Sequence, residues 1–194
     1  MGWSMGLFDF FKNANNQLVE KFAKNIVAIS DLTVDDLYTH AKIDDKSLYF
    51  EVAMEYICVF FHAIDRIAFR ELPPAKRDEF MNLIEKEVFL ITKQHFSRKF
   101  PTHQSFISNR TYIEAMYDVF KERLPVYEDM LELSLPSDQG AGETVFWESG
   151  KFIAQKHFDN NPTIILYNQM ILGSNLIAMD NSIGGIVKQI KSYK

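Results

Sequence analysis

The sequence predicts an all-α fold, a single-domain bundle of about six or seven helices around a long central helix. Three observations carry that expectation. Apolar residues recur at helical spacing along most of the chain. Only 6 Pro and 8 Gly interrupt 194 residues, too few for a many-turned sandwich or barrel. No stretch alternates apolar and polar residues for the length of a strand. With 47% apolar and 24% charged residues, the chain has the means to bury a substantial core and is not of disordered composition.

Residues 8–29 place Phe11, Leu18, Phe22, Ile26 and Ile29 on one helical face, with a break expected at residues 13–16. Thr33 reads as the N-cap of a short helix over 34–42, with Asp35 and Asp36 in its first turn, and Asp44 or Asp45 as the cap of the next. That next helix, residues 46–72, is expected to be the longest at about 40 Å. The pair Pro73-Pro74 ends it and opens its successor. Over 74–97, Phe80, Ile84, Val88, Ile91 and His95 share a face, so His95 is expected as a hydrogen-bonded core residue. Ser108 reads as the cap of a helix over 109–133, which Pro125 should kink or break near Arg123. The Gly- and Pro-containing stretch 135–142 is a loop separating the first five helices from a carboxy-terminal pair, 143–158 and 162–179. Asn161 and Pro162 supply a cap and a first-turn proline. Gly184 and Gly185 interrupt the remaining segment, leaving a frayed last helix with Lys188, Lys191 and Lys194. Residues 1–194 are read as one helical domain.

A net charge of −5 argues against a nucleic-acid partner, whose phosphates need a basic face. The basic stretch 97–110 lacks a glycine-rich phosphate cradle and reads as solvated loop. Cys58 stands alone, which excludes an intrachain disulfide and a cysteine zinc site; flanked by Ile57 and Val59, it is expected to be an inert buried thiol. No secretory pattern opens the sequence, Met1 and Met5 are both plausible starts, and the expected location is cytoplasmic. No transmembrane segment is expected. The best candidate, residues 160–179, carries no formal charge, but Asn160, Asn161, Asn168, Gln169, Ser174 and Asn175 suit a core helix better than a span.

Chemistry, if any, concentrates on the helix over 46–72. At 100° per residue, Glu51, Glu55, Cys58, His62, Asp65 and Arg66 fall within an arc of about 100°. The favoured reading makes this arc the solvent edge of a mostly buried helix. The alternative makes Glu51, Glu55, His62 and Asp65 the wall of a site, because carboxylates and imidazoles projecting inward are how helical bundles hold ligands and metals. Glu55 and His62 lie about 10.5 Å apart along the axis, so a second helix would have to supply partners, with Glu114 and Asp118 the best available. No Glu-x-x-His or His-Glu-x-x-His occurs, and neither a metal nor a cofactor is implied.

The leading functional expectation is a non-catalytic protein that works through protein contacts, as a homodimer or an adaptor. The alternative is a bundle binding a metal or a small apolar ligand through Glu55, His62 and Asp65, or an enzyme built on the same residues. The opening Trp3, Leu7, Phe8, Phe10 and Phe11, followed by Lys12, Lys21 and Lys24, raises weak membrane-surface contact by the first helix as a third.

Overall fold

The computed structural model describes residues 4–43, 48–100, 112–130, 144–180 and 182–193, with the side chains of 4–13 and 112 outside the description. Seven helices and no strands occur among the described residues: α1 (Ser4–Ala41), α2 (Tyr49–Glu71), α3 (Pro74–Lys99), α4 (Tyr112–Glu128), α5 (Val145–His157), α6 (Pro162–Ala178) and α7 (Ile183–Lys191). The fold is an all-α bundle.

α1 corrects two expectations. Its 38 residues run without the break anticipated at 13–16, and Thr33 does not cap a new helix. The Thr33 hydroxyl donates to the Ile29 carbonyl at 2.6 Å and that of Ser30 to Ile26 at 2.7 Å. Both hydroxyls are thereby satisfied within the continuing helix and need no cap. α1 is also longer than α2, which has 23 residues. It ends where Lys42 adopts φ 54° and the Ile43 amide bonds back to the Tyr38 carbonyl at 2.9 Å, a left-handed C-terminal turn.

α2 buries 18 of its 23 residues and packs on α1, α3, α4, α5 and α7. α3 starts as expected, with Pro73 before it and Pro74 in its first turn. Its buried face runs Phe80, Ile84, Val88, Thr92 and Phe96, steps of four, and this leaves Ile91 and His95 at the margin. Aromatic pairs tie the layers together: Phe22 meets Phe80 at 5.8 Å, Phe50 meets Phe96 at 5.2 Å and Phe61 meets Phe120 at 5.0 Å between ring centroids. Much of the unusual aromatic content is therefore core, where such ring pairs each add about 0.5–1.5 kcal/mol beyond burial.

α4 continues to Glu128 with Pro125 inside it, so the proline does not break the helix. Buried Arg123 and Tyr127 anchor the segment on either side of the missing amide. The Ser108 cap, the Asp44 or Asp45 cap and the loop 135–142 lie outside the described residues. α5 begins at Thr144, whose hydroxyl accepts from the Trp147 amide at 3.4 Å, and α6 at Asn161, whose side chain accepts from Thr163 at 3.0 Å. Between them Asp159 and Asn160 take positive φ, which folds α6 back along α5. The crossing is close: a Cβ on Gly150 would sit 3.1 Å from both Asn168 Cβ and Ile165 Cα. α7 is capped, not frayed. The Ser182 hydroxyl accepts from the Gly185 amide at 2.9 Å, and a Cβ on Gly185 would collide with the Asp180 carboxylate, so glycine is required there. Among the described residues no single helix is long and apolar enough to cross a membrane.

Candidate functional site

The polar arc of α2 is not a solvent edge. Glu51 is exposed, but Glu55 is 0%, Cys58 0%, His62 1% and Asp65 9% exposed. α4 and the start of α3 cover them. Glu55 is gripped by Arg123, whose Nε donates to Oε2 at 2.9 Å and Nη2 to Oε1 at 3.1 Å, with Lys156 Nζ 3.6 Å away. The Arg123 guanidinium lies 4.1 Å from the Phe152 ring centroid. Further along α2, Asp65 receives Arg77 Nε at 2.8 Å and Nη2 at 2.6 Å. Both carboxylates thus form paired, charge-assisted bonds with guanidinium groups.

Glu114 and Asp118 do not face this row. They lie on the exposed side of α4, whose buried side carries Met116, Phe120, Arg123 and Tyr127. The carboxylates expected to complete a ligand set are therefore replaced by one arginine. Among the described residues no three His, Cys, Asp or Glu side chains gather to hold a metal ion. Arg123 was legible in part, because an arginine at the same helical spacing as Met116, Phe120 and Tyr127 needs a buried anion. Arg77 left no such mark.

The remaining groups of the row are chemically quiet. Burial pushes the Cys58 thiol well above its ordinary range, with Glu55 adding to the effect; a protonated, enclosed thiol is a poor nucleophile. Burial holds His62 down to about 4, against the pull of Asp65. Its ring centroid is 5.7 Å from that of Tyr127. Burial and the nearby Lys156 hold His157, at the end of α5, down to about 4, and its Nδ1 is 3.6 Å from Glu51. The His62 Nε2, the His157 Nε2 and the Tyr127 hydroxyl have no hydrogen-bond partner among the described residues.

A second cluster, missed in the sequence, joins α1, α2 and α3. Asp31 accepts from Tyr49 at 2.8 Å and from Lys99 at 2.6 Å, and its Oδ2 is 3.0 Å from His95 Nε2. Burial alone would raise the Asp31 carboxyl; hydrogen bonds from His95, Lys99 and Tyr49 outweigh it and hold the group at about 2. His95 is thus the edge of a polar cluster and not a core residue. It lines an open groove of about 460 Å³ with Lys24, Gln94, Arg98 and Lys99. Glu20 on Lys24, and Asp31 and Asp35 on Lys99, largely cancel the positive charge, so the groove offers an anion little attraction. Positions 31, 49, 95 and 99 share no motif; only packing brings them together.

The third feature is α6. Its asparagines, the residues that make it a poor membrane span, point inward. Asn168 donates to the Phe146 carbonyl at 2.7 Å and to Ser149 Oγ at 2.8 Å, and Asn175 to Thr33 Oγ1 at 2.9 Å. With the amides docked on α5 and α1, the opposite face turns out Leu166, Met170 and Ile177, at 58%, 70% and 49% exposure. A shallow cavity of about 270 Å³ opens beside them, lined by His40, Tyr167, Met170, Ile171 and Ser174. The helix is apolar nearly all round: its buried side carries Ile164, Leu172 and Leu176 beside the two asparagines, and its outer side keeps three large apolar side chains in water. Set against protein-family models, curated proteins and solved structures, the chain has no significant match.

Proposed function

We propose that this protein acts through protein–protein contacts and not through catalysis, as a cytoplasmic homodimer or adaptor whose contact surface is the outer face of α6. The observation that supports this reading is the exposure of Leu166, Met170 and Ile177 together on that face. Large apolar side chains left in water on a charge-free helix mark a surface that another protein covers. The α2 row supports the same reading from the other side, because its buried carboxylates Glu55 and Asp65 are paired with Arg123 and Arg77, its His62 imidazole is held neutral at ordinary pH and its thiol is protonated.

Native mass spectrometry of gently purified, untagged protein tests the reading. The expected result is a second polypeptide bound to the wild type and absent from Met170→Glu, with the circular dichroism melt unchanged. A bare monomer in the wild type, or a complex that Met170→Glu leaves intact, would overturn it. One observation favours a second reading, a bound small molecule in the α2 row: the buried His62 Nε2 and Tyr127 hydroxyl have no partner among the described residues, and such atoms usually carry one. A stoichiometric small added mass that disappears in His62→Ala would establish that reading in place of the first.

A further inference from the structure

We propose that α4 is a flap over the polar row of α2, which lifts as a unit while the rest of the bundle stays folded and so exposes Glu55, Cys58 and His62 to solvent. α4 packs on α2 and α3 and meets α5 at Phe152. It covers the row directly. Arg123 holds Glu55, the Tyr127 ring lies against His62, and Cys58 is within electrostatic reach of both Arg123 and Tyr127.

Little apolar contact holds the flap down. Between 113 and 128 five side chains are buried, Met116, Val119, Phe120, Arg123 and Tyr127, whereas α2 buries 18. Ile113, Tyr117 and Val126 are already in water. A helix that buries one narrow side loses little on leaving, and such elements form the low-stability end of a fold. Pro125 also removes one of the backbone hydrogen bonds of α4 itself. The cost of lifting falls on Phe61 and Phe89, which lose the Phe120 ring at 5.0 and 5.4 Å between centroids. α1, α3, α5 and α7 still pack on α2 when α4 is away.

The polar contacts beneath the flap do not favour closure. Glu55 and Arg123 give up water to meet, and the desolvation of two charges offsets most of their attraction. Lifting α4 rehydrates both charges at once, unlike a substitution, which strands one of them. The His62 Nε2 and the Tyr127 hydroxyl are buried without a partner among the described residues. Each gains water when α4 rises, so each favours the open form. In the closed form the row is sealed, and in the open form its carboxylate, thiol and imidazole become available to solution.

Cys58 is the one cysteine of the chain and is fully buried, so its reaction reports the opening. Once off α2, a 17-residue helix with an internal proline does not hold its shape in water, and its amides exchange in the same event. Labelling of the native full-length protein with dithiodipyridine, over urea concentrations below the unfolding transition, tests the proposal together with hydrogen exchange read by mass spectrometry at the same steps. Cys58 and the amides of 113–128 should share one opening constant, at least about a hundredfold larger than that of global unfolding. Its urea slope should be well below the equilibrium slope, and the amides of α1 and α2 should stay protected. Tyr127→Phe keeps the ring, removes an unpartnered hydroxyl and should slow both reactions about tenfold. Labelling that follows the constant and slope of global unfolding overturns the flap. So does a thiol that reacts while the α4 amides stay protected, because another route then leads to Cys58. A Tyr127→Phe variant that reacts at the wild-type rate overturns the part assigned to the buried hydroxyl.

Discussion

Replacing Arg123 by leucine should destabilise the fold far more than replacing Arg123 and Glu55 together. In the single variant the Glu55 carboxylate, 0% exposed, loses both its hydrogen bonds and retains only Lys156 Nζ at 3.6 Å. Breaking one side of a buried pair costs about 3–5 kcal/mol, because the remaining charge is desolvated without compensation. The guanidinium also leaves the Phe152 ring, a further loss of about 1 kcal/mol. Lys156 has a half-exposed side chain and can close on Glu55, which offsets part of the penalty and brings the expected net to about 3 kcal/mol. For a chain of this size that lowers Tm by roughly 6–12 °C. Converting Glu55 to leucine in the same background removes the stranded charge, and the double variant should return to within about 1 kcal/mol of wild type. Urea titration followed by circular dichroism, with the slope held as the check on a common unfolded state, measures both. A single variant within about 1 kcal/mol of wild type, or a double variant as damaged as the single, would refute a desolvated ion pair at the centre of the bundle.

Acid should destabilise the protein in two windows. His62 and His157 take a proton near 6.5 when unfolded but only at about 4 in the folded chain, so the unfolded state binds more protons between these values. Their contribution is present above pH 6.5 and lost as pH falls towards 4, at about 2 kcal/mol for each after partial solvation. Melts at stepped pH should therefore drop across that range, and by about half as much in His62→Phe, where His157 alone remains. Asp31, held at about 2 against an ordinary 3.8, adds a loss at lower pH, below 3.8. Gly150→Ala should cost about 1–3 kcal/mol in chemical denaturation by forcing α5 from α6, since its Cβ would lie 3.1 Å from the Ile165 backbone; an unchanged midpoint would show that the crossing can relax.

Helix identity was largely legible because periodicity and end signals are local. Pro73-Pro74 and Asn161-Pro162 act through the dihedrals and amides of their own turns, and the structure starts α3 and α6 there. Thr33 misled for the same reason in reverse. A threonine hydroxyl serves equally as a cap or as a donor to the carbonyl four residues back, and the second role, with Asn175 as a further partner, holds once α1 is continuous. For the α2 row, spacing put Glu55, His62 and Asp65 on one side of a helix, but nothing in spacing says whether water, a ligand or an arginine from another helix stands opposite.

What the sequence by itself determined is the all-helical character, the starts of α3 and α6 and the alignment of polar groups along α2, because these arise from neighbours within a turn or two. What only the tertiary structure decided is which way those faces point and what meets them. Arg123 closes on Glu55 across 68 positions of sequence and Asn175 reaches Thr33 across 142. Such contacts are chosen by the joint packing of several helices, where satisfying buried amides on α6 outweighs the cost of leaving Leu166, Met170 and Ile177 in water. A rule that sends apolar residues inward, applied to α6 alone, selects no face, because Ile164, Leu172 and Leu176 on one side are matched by Leu166, Met170 and Ile177 on the other; the buried partners of Asn168 and Asn175 that decide between them come from α5 and α1.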